Sequence, residues 1–197
     1  MLTAEENERL TRTGPETPMG GVFRQYWHPA LLSSELEAEG PPKSIKILGE
    51  EFVAFRDGQG RAGVVEPRCP HRGAHLFFGR NESCGLRCAY HGWQFDVEGQ
   101  CIDVPTASEK IAEGLKPKAQ LQSLSVKESL GLIWVHFGQP AVDVPTFDFA
   151  SLPEEHYFVS KKFQQCNWNI GVFFTFSTYL LAENMNFISF FPRKSPV

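Results

Sequence analysis

From Lys43 onward the chain carries short runs in which apolar and polar positions alternate. Ser44 to Leu48 and Phe52 to Arg56 flank Gly49-Glu50, and Ala62 to Val65 follows the turn signal Asp57-Gly58. Alternation of period two between Gly and Asp turns predicts antiparallel strands. The same reading gives a hairpin of Trp93 to Val97 and Cys101 to Val104 around Glu98-Gly99. It gives a further pair, Leu121 to Val126 and Leu132 to Phe137, around Gly131, and His156 to Phe163 could open another sheet. Many short strands joined by tight turns predict a mainly β fold of small antiparallel sheets, as a barrel or sandwich.

The first 42 residues have a different texture. Thr3-Ala4-Glu5-Glu6 has capping-box spacing, which predicts a short helix stopping near Gly14-Pro15. Gly14 to Gly21 reads as a loop, followed by the aromatic cluster Phe23, Tyr26 and Trp27. The expected organisation is therefore an N-terminal helical arm over 1–42, a β domain over 43–140, a Pro-bearing linker and the start of a further domain over 141–168, and a Phe-rich tail over 169–197. No internal repeat or low-complexity run interrupts this.

Composition narrows the function. The chain has 197 residues, a net charge of −4 and 42% hydrophobic residues. It is too apolar to be disordered and too acidic to bind nucleic acid by neutralising phosphates. No secretory h-region follows Met1, and the Phe-rich run from Ile170 to Leu181 is too short to span a bilayer. With five cysteines, an odd number, the expectation is a cytoplasmic, reducing setting in which they act as ligands or free thiols.

The chemistry is concentrated between Cys69 and His91. Cys69-Pro70-His71 and Cys88-Ala89-Tyr90-His91 together spell C-x-H-x16-C-x-x-H. A Cys2His2 zinc finger groups its cysteines before its histidines. Alternation instead suits two loops that each give one Cys and one His to a two-iron cluster, with thiolates on one iron and imidazoles on the other. Neutral imidazoles lower the negative charge around such a cluster, which raises its potential. Gly73 and Gly92 allow sharp turns beside the ligands. The blander alternatives are a structural zinc site or two unrelated Cys/His pairs.

Cys69 to Leu76 (CPHRGAHL) and Cys88 to Asp96 (CAYHGWQFD) resemble the two cluster-binding loops of Rieske proteins. The flanking segments 16–36, 47–65 and 78–101, with Gln164 to Trp168, resemble the phthalate 4,5-dioxygenase-like branch of the Rieske non-haem iron ring-hydroxylating oxygenases, in their α subunit. That resemblance implies a Rieske fold and a [2Fe–2S] cluster held by Cys69, His71, Cys88 and His91. It implies a flavin or iron–sulfur reductase as electron donor, a homotrimer in the full-length form, and a mononuclear Fe(II) in a second domain. A standalone Rieske ferredoxin and a zinc-stabilised interaction domain are the competing readings.

The sequence departs from the family after Trp168. The family's second iron site needs a D-x-x-H-x4-5-H arrangement there, yet the stretch from Asn169 contains neither His nor Asp. Glu183 and Asn186 do not replace it, so no catalytic residue is assigned and the chain is expected to be truncated before that iron site. His28, His75, His136 and His156 read as surface or strand histidines, with a supporting role beside the cluster open for His75. Ala74 and Tyr90 stand where respiratory Rieske proteins carry a disulfide, and Trp93 and Phe95 where they carry hydroxyl donors. A potential near the low end of the Rieske range, about −150 mV, is expected. Trp93, Phe95 and Phe77 read as an apolar collar, Arg68, Arg72 and Arg80 as docking charges or solvated surface, and Cys84, Cys101 and Cys166 as plain thiols.

Overall fold

The computed structural model describes residues 2–151, 153, 157–164, 178–179 and 185–192. Helix α1 (Ala4–Thr11) starts on the expected capping box. The Thr3 hydroxyl accepts from the Glu6 N–H at 3.2 Å and the Glu6 carboxylate reaches back to the Thr3 N–H at 2.8 Å. The helix ends at Thr11, three residues before Gly14, and the backbone of Arg12 is already extended. The predicted Gly14 to Gly21 loop is part helix instead: Thr17 caps the Gly20 N–H and Pro18 opens α2 (Pro18–Phe23). A fixed proline φ at the first helical position costs nothing, because its missing N–H would be unpaired anyway.

Among the described residues thirteen strands follow: β1 (His28–Leu32), β2 (Lys43–Ile47), β3 (Glu50–Arg56), β4 (Ala62–Val65), β5 (Arg80–Glu82), β6 (Gly85–Arg87), β7 (Gln94–Phe95), β8 (Cys101–Asp103), β9 (Ser125–Ser129), β10 (Leu132–His136), β11 (Tyr157–Gln164), β12 (Thr178–Tyr179) and β13 (Met185–Pro192). A helix α3 (Glu109–Leu115) lies between β8 and β9. The strands form small sheets ordered β1-β10-β9, β2-β3-β4, β5-β6-β7-β8 and β11-β13-β12. The fold is mainly β, as expected. The Leu121 to Val126 strand is displaced to Ser125–Ser129, because Leu121 and Leu124 are core residues of the preceding loop and the turn sits on Leu130-Gly131, both at positive φ.

The chain divides into two compact units. One comprises 1–33, 47–50 and 127–197, the other 34–46 and 51–126. In the first, β1 pairs antiparallel with β10, His28 opposite Val135 and Leu32 opposite Leu132. Leu132, Trp134 and Val144 form its buried centre, with Trp27, Leu32, Phe147 and Val159 packed against them. In the second, Val53, Phe55, Val65, Leu76, Leu86, Phe95 and Leu121 form one apolar core that also takes in Cys69, Cys88 and Trp93. Burying a residue such as Phe95 contributes about 2 kcal/mol, so the metal-ligand candidates stand on the best-packed part of that unit. No described helix is long and apolar enough to cross a membrane. The expectations for His156 and Cys166, and for the run 170–181 apart from Thr178–Tyr179, lie outside the described residues.

Candidate metal centre

Both candidate ligand loops are built on the same backbone pattern. In the first, the Cys69 N–H donates to Ala74 O at 2.9 Å and the Gly73 N–H donates to Cys69 O at 2.8 Å. In the second, the Cys88 N–H donates to Trp93 O at 2.8 Å and the Gly92 N–H donates to Cys88 O at 3.0 Å. The glycine stands four residues after the cysteine each time, at φ +68° in Gly73 and +75° in Gly92. That left-handed conformation is what turns each loop back on its cysteine, and a side chain there is strained.

The structure brings all four candidate residues together as two pairs. The side chains of Cys69 and Cys88 are within hydrogen-bonding reach of each other, and both are buried. Burial pushes the Cys69 thiol up to about 11, against the pull of the His71 and Arg72 N–H groups, which donate to its sulfur. The His71 and His91 rings have centroids 4.6 Å apart. Burial, then the neighbouring His91 and Arg72, lowers the pKa of His71. His71 Nδ1 is buried with no hydrogen-bond partner among the described residues. An orphaned imidazole nitrogen beside a second imidazole fits a metal ligand, since a buried polar atom without a partner is otherwise costly.

The arrangement bears on which metal group fits. Among the described residues no three His, Cys, Asp or Glu side chains converge on a single metal position. Two thiols in reach of each other and two imidazoles side by side are the donor set of a two-iron cluster with two Cys and two His ligands.

The surroundings revise several expectations. Trp93 stacks flat on His71, centroids 4.5 Å apart and planes 4° apart, with its indole N–H 3.3 Å from the Thr106 hydroxyl. A residue of the second loop thus packs directly on a candidate ligand of the first. Phe95 is fully buried beneath, but Phe77 does not join an apolar collar. It is 40% exposed and packs edge-on to Phe78, which is 72% exposed, because the turn Leu76–Phe78 buries only Leu76. Tyr90 is 62% exposed and lies against the His91 ring. His75 caps that turn, its Nδ1 accepting from the Phe77 N–H at 3.2 Å and its Nε2 3.6 Å from Glu51. Arg80 pairs with Glu82 at 3.4 Å. Cys84 is exposed, and Cys101 is buried with its Sγ 3.7 Å from Asp103 O. His28 and His136 are strand histidines, as expected, and both are buried.

Arg87 escaped the sequence reading. Its guanidinium donates to Gly92 O at 2.5 Å, Glu82 at 2.8 Å, Asp103 at 2.7 Å and Gln94 Oε1 at 2.8 Å. The available signal was the dipeptide Arg-Cys, which opens both loops, at Arg68-Cys69 and Arg87-Cys88.

The family description "Rieske [2Fe-2S] domain" matches residues 26–126. The chain is 45% identical over 170 residues to the 3-chlorobenzoate-3,4-dioxygenase oxygenase subunit of Comamonas testosteroni, which covers 85% of this chain and 39% of that protein. It is 41% identical over 172 residues to the phthalate 4,5-dioxygenase oxygenase subunit of Pseudomonas putida, covering 85% and 38%. The crystal structure of dicamba monooxygenase superposes with a TM-score of 0.63 at 31% identity, over 76% of this chain and 48% of that one. The terminal oxygenase of carbazole 1,9a-dioxygenase from Nocardioides aromaticivorans IC177 gives 0.66 at 27% identity, over 87% and 45%. The chain spans about two fifths of the length of the curated relatives it matches.

Proposed function

The chain belongs to the Rieske [2Fe–2S] domain family, and from that premise we propose that it is the electron-entry part of an aromatic ring-hydroxylating oxygenase. Cys69 and Cys88 hold one iron and His71 and His91 the other. The observation that carries this is the pairing itself: two buried thiols in reach of each other, and two imidazoles 4.6 Å apart, one with an orphaned Nδ1. When bound, the cluster supplies one-electron storage at a potential above that of all-cysteine clusters. The chain's own residues do the rest. The His71 and Arg72 N–H groups donate to the Cys69 sulfur, which favours its thiolate. The core beneath Cys69 and Cys88 excludes water from the thiol side. The histidine side is half-exposed, so an electron or a proton can arrive there.

The donor is a flavin or iron–sulfur reductase, and the acceptor is a mononuclear iron that the residues in hand do not hold, since the stretch from Asn169 has neither His nor Asp. The similarity to oxygenase subunits extends over 170 residues, beyond residues 26–126, which favours an oxygenase part over a freestanding ferredoxin. An aromatic compound is the substrate class proposed for the complete system, supported by the printed names of the 3-chlorobenzoate, phthalate and carbazole dioxygenases.

The test is direct. Purified protein should be coloured, with about two iron and two sulfide per chain and an EPR signal on reduction. A colourless protein containing zinc refutes the reading. Oxygen consumption with an aromatic acid and a reductase should be absent for this chain alone, and turnover would refute the assignment of the second iron elsewhere.

A further inference from the structure

The two ligand loops are alike in backbone but not in how they are held. Each begins with Arg-Cys and turns on a glycine four residues after the cysteine. In each, the arginine donates to that glycine's carbonyl: Arg68 to Gly73 O at 3.3 Å, Arg87 to Gly92 O at 2.5 Å. There the likeness ends. Arg68 is exposed, and among the described residues no carboxylate pairs with it. Arg87 is largely buried and holds four acceptors at once.

Those acceptors have a meaning in the fold. Glu82 is on β5, Arg87 itself on β6, Gln94 on β7 and Asp103 on β8. One guanidinium thus ties all four strands of the sheet to the turn that presents His91. Both peptide groups flanking Gly92 are pinned as a result. The one before it donates to Cys88 O, and the one after it accepts from Arg87. His91 and Trp93 are the two neighbours of Gly92, and Trp93 is the ring stacked on His71. Arg87 donates to the carboxylates of Glu82 and Asp103, which balance its charge where it is largely buried.

We propose that Arg87 is a positioning residue for the cluster, setting the His91 and Trp93 geometry through Gly92 while its charge is cancelled by Glu82 and Asp103. The inference rests on the Rieske reading above. It assigns unequal stiffness to the two loops: the Cys88–His91 loop is fastened to its sheet and the Cys69–His71 loop has one long bond from an exposed side chain. A fork of five N–H donors is required for this, and the single ammonium of lysine cannot reach four acceptors in different directions.

The experiment uses the whole chain with its cluster in place and compares wild type, Arg87→Lys, Asp103→Asn and the surface control Arg12→Gln. It reads iron release to a chelator, EPR g values of the reduced protein, visible circular dichroism and the thermal midpoint. Arg87→Lys should lose iron about ten-fold faster than wild type, with shifted g values and near-native far-UV dichroism. Asp103→Asn should move the same way by less, and Arg12→Gln should match wild type. Wild-type release rates and g values in Arg87→Lys overturn the proposal. If Arg87→Lys does not fold, Asp103→Asn decides: unchanged g values and release there overturn it equally. A wild-type protein with no cluster signal defeats the underlying Rieske reading instead, so the two failures are distinguishable.

Discussion

Trp93 and His71 lie face to face, and that contact lets one side chain couple the two ligand loops. Trp93→Phe should keep the stack and lose only the bond to Thr106. Trp93→Ala should cost about 3–5 kcal/mol and loosen the His71 ring, which chemical denaturation and the EPR line width would report. A second prediction concerns His28, buried on β1 with its Nε2 2.8 Å from Phe23 O. Burial, with His136 and Arg24 nearby, lowers its pKa to about 4, against the support of the Phe23 carbonyl. The folded chain therefore keeps it neutral while the unfolded chain protonates it below about 6.5. The stabilisation is complete above that pH and is lost as the pH falls toward 4. Between pH 7.5 and 5 wild type should lose about 2 kcal/mol more than His28→Gln, measured by urea unfolding of both; equal losses reject it. The ligand candidates were legible because C-x-H and C-x-x-H are local patterns. Arg87 was not, because its partners come from four strands and no spacing along the chain announces them.

At the level of elements, Gly73 and Gly92 have the same role with different room. Both stand at positive φ, but an added Cβ at Gly73 meets nothing within 4 Å, whereas at Gly92 it comes 3.0 Å from Pro105 Cγ. Gly73→Ala should therefore cost only the left-handed strain, about 1 kcal/mol. Gly92→Ala should cost more and also lower cluster content; thermal midpoints and iron assays on the pair check the order. Turn chemistry explains which elements could be read in advance. Asp57-Gly58, Glu98-Gly99 and Gly131 each marked a real reversal. Strands β5 and β6 were missed because they are three residues each, too short to show a period. β1 was missed because it is almost entirely buried, so it has no alternation. The α2 helix hid in a Gly- and Pro-rich stretch whose only helical signal was Thr17-Pro18.

For the molecule as a whole, the measurable quantity is the potential. Trp93 and Phe95 offer no hydroxyl where respiratory Rieske proteins carry donors that raise the potential. The expected midpoint is about −150 mV, and a redox titration giving a midpoint above about +100 mV would reject it. Fold class was readable because many short strands between turns admit few architectures. The division into two units was not, since its boundaries at 46, 50 and 126 fall inside β2, β3 and β9 rather than at linkers. The β1–β10 pairing carries a kinetic consequence. It joins segments about a hundred residues apart, while β5 to β8 pair each with the next along the chain. Closing a long loop costs entropy before any contact repays it. The meander should therefore gain amide protection first in pulse-labelled hydrogen exchange, with Leu31 and Ile133 protected late. A nascent chain could then acquire its iron while its N-terminal strand is still waiting for a partner that the ribosome has not yet released.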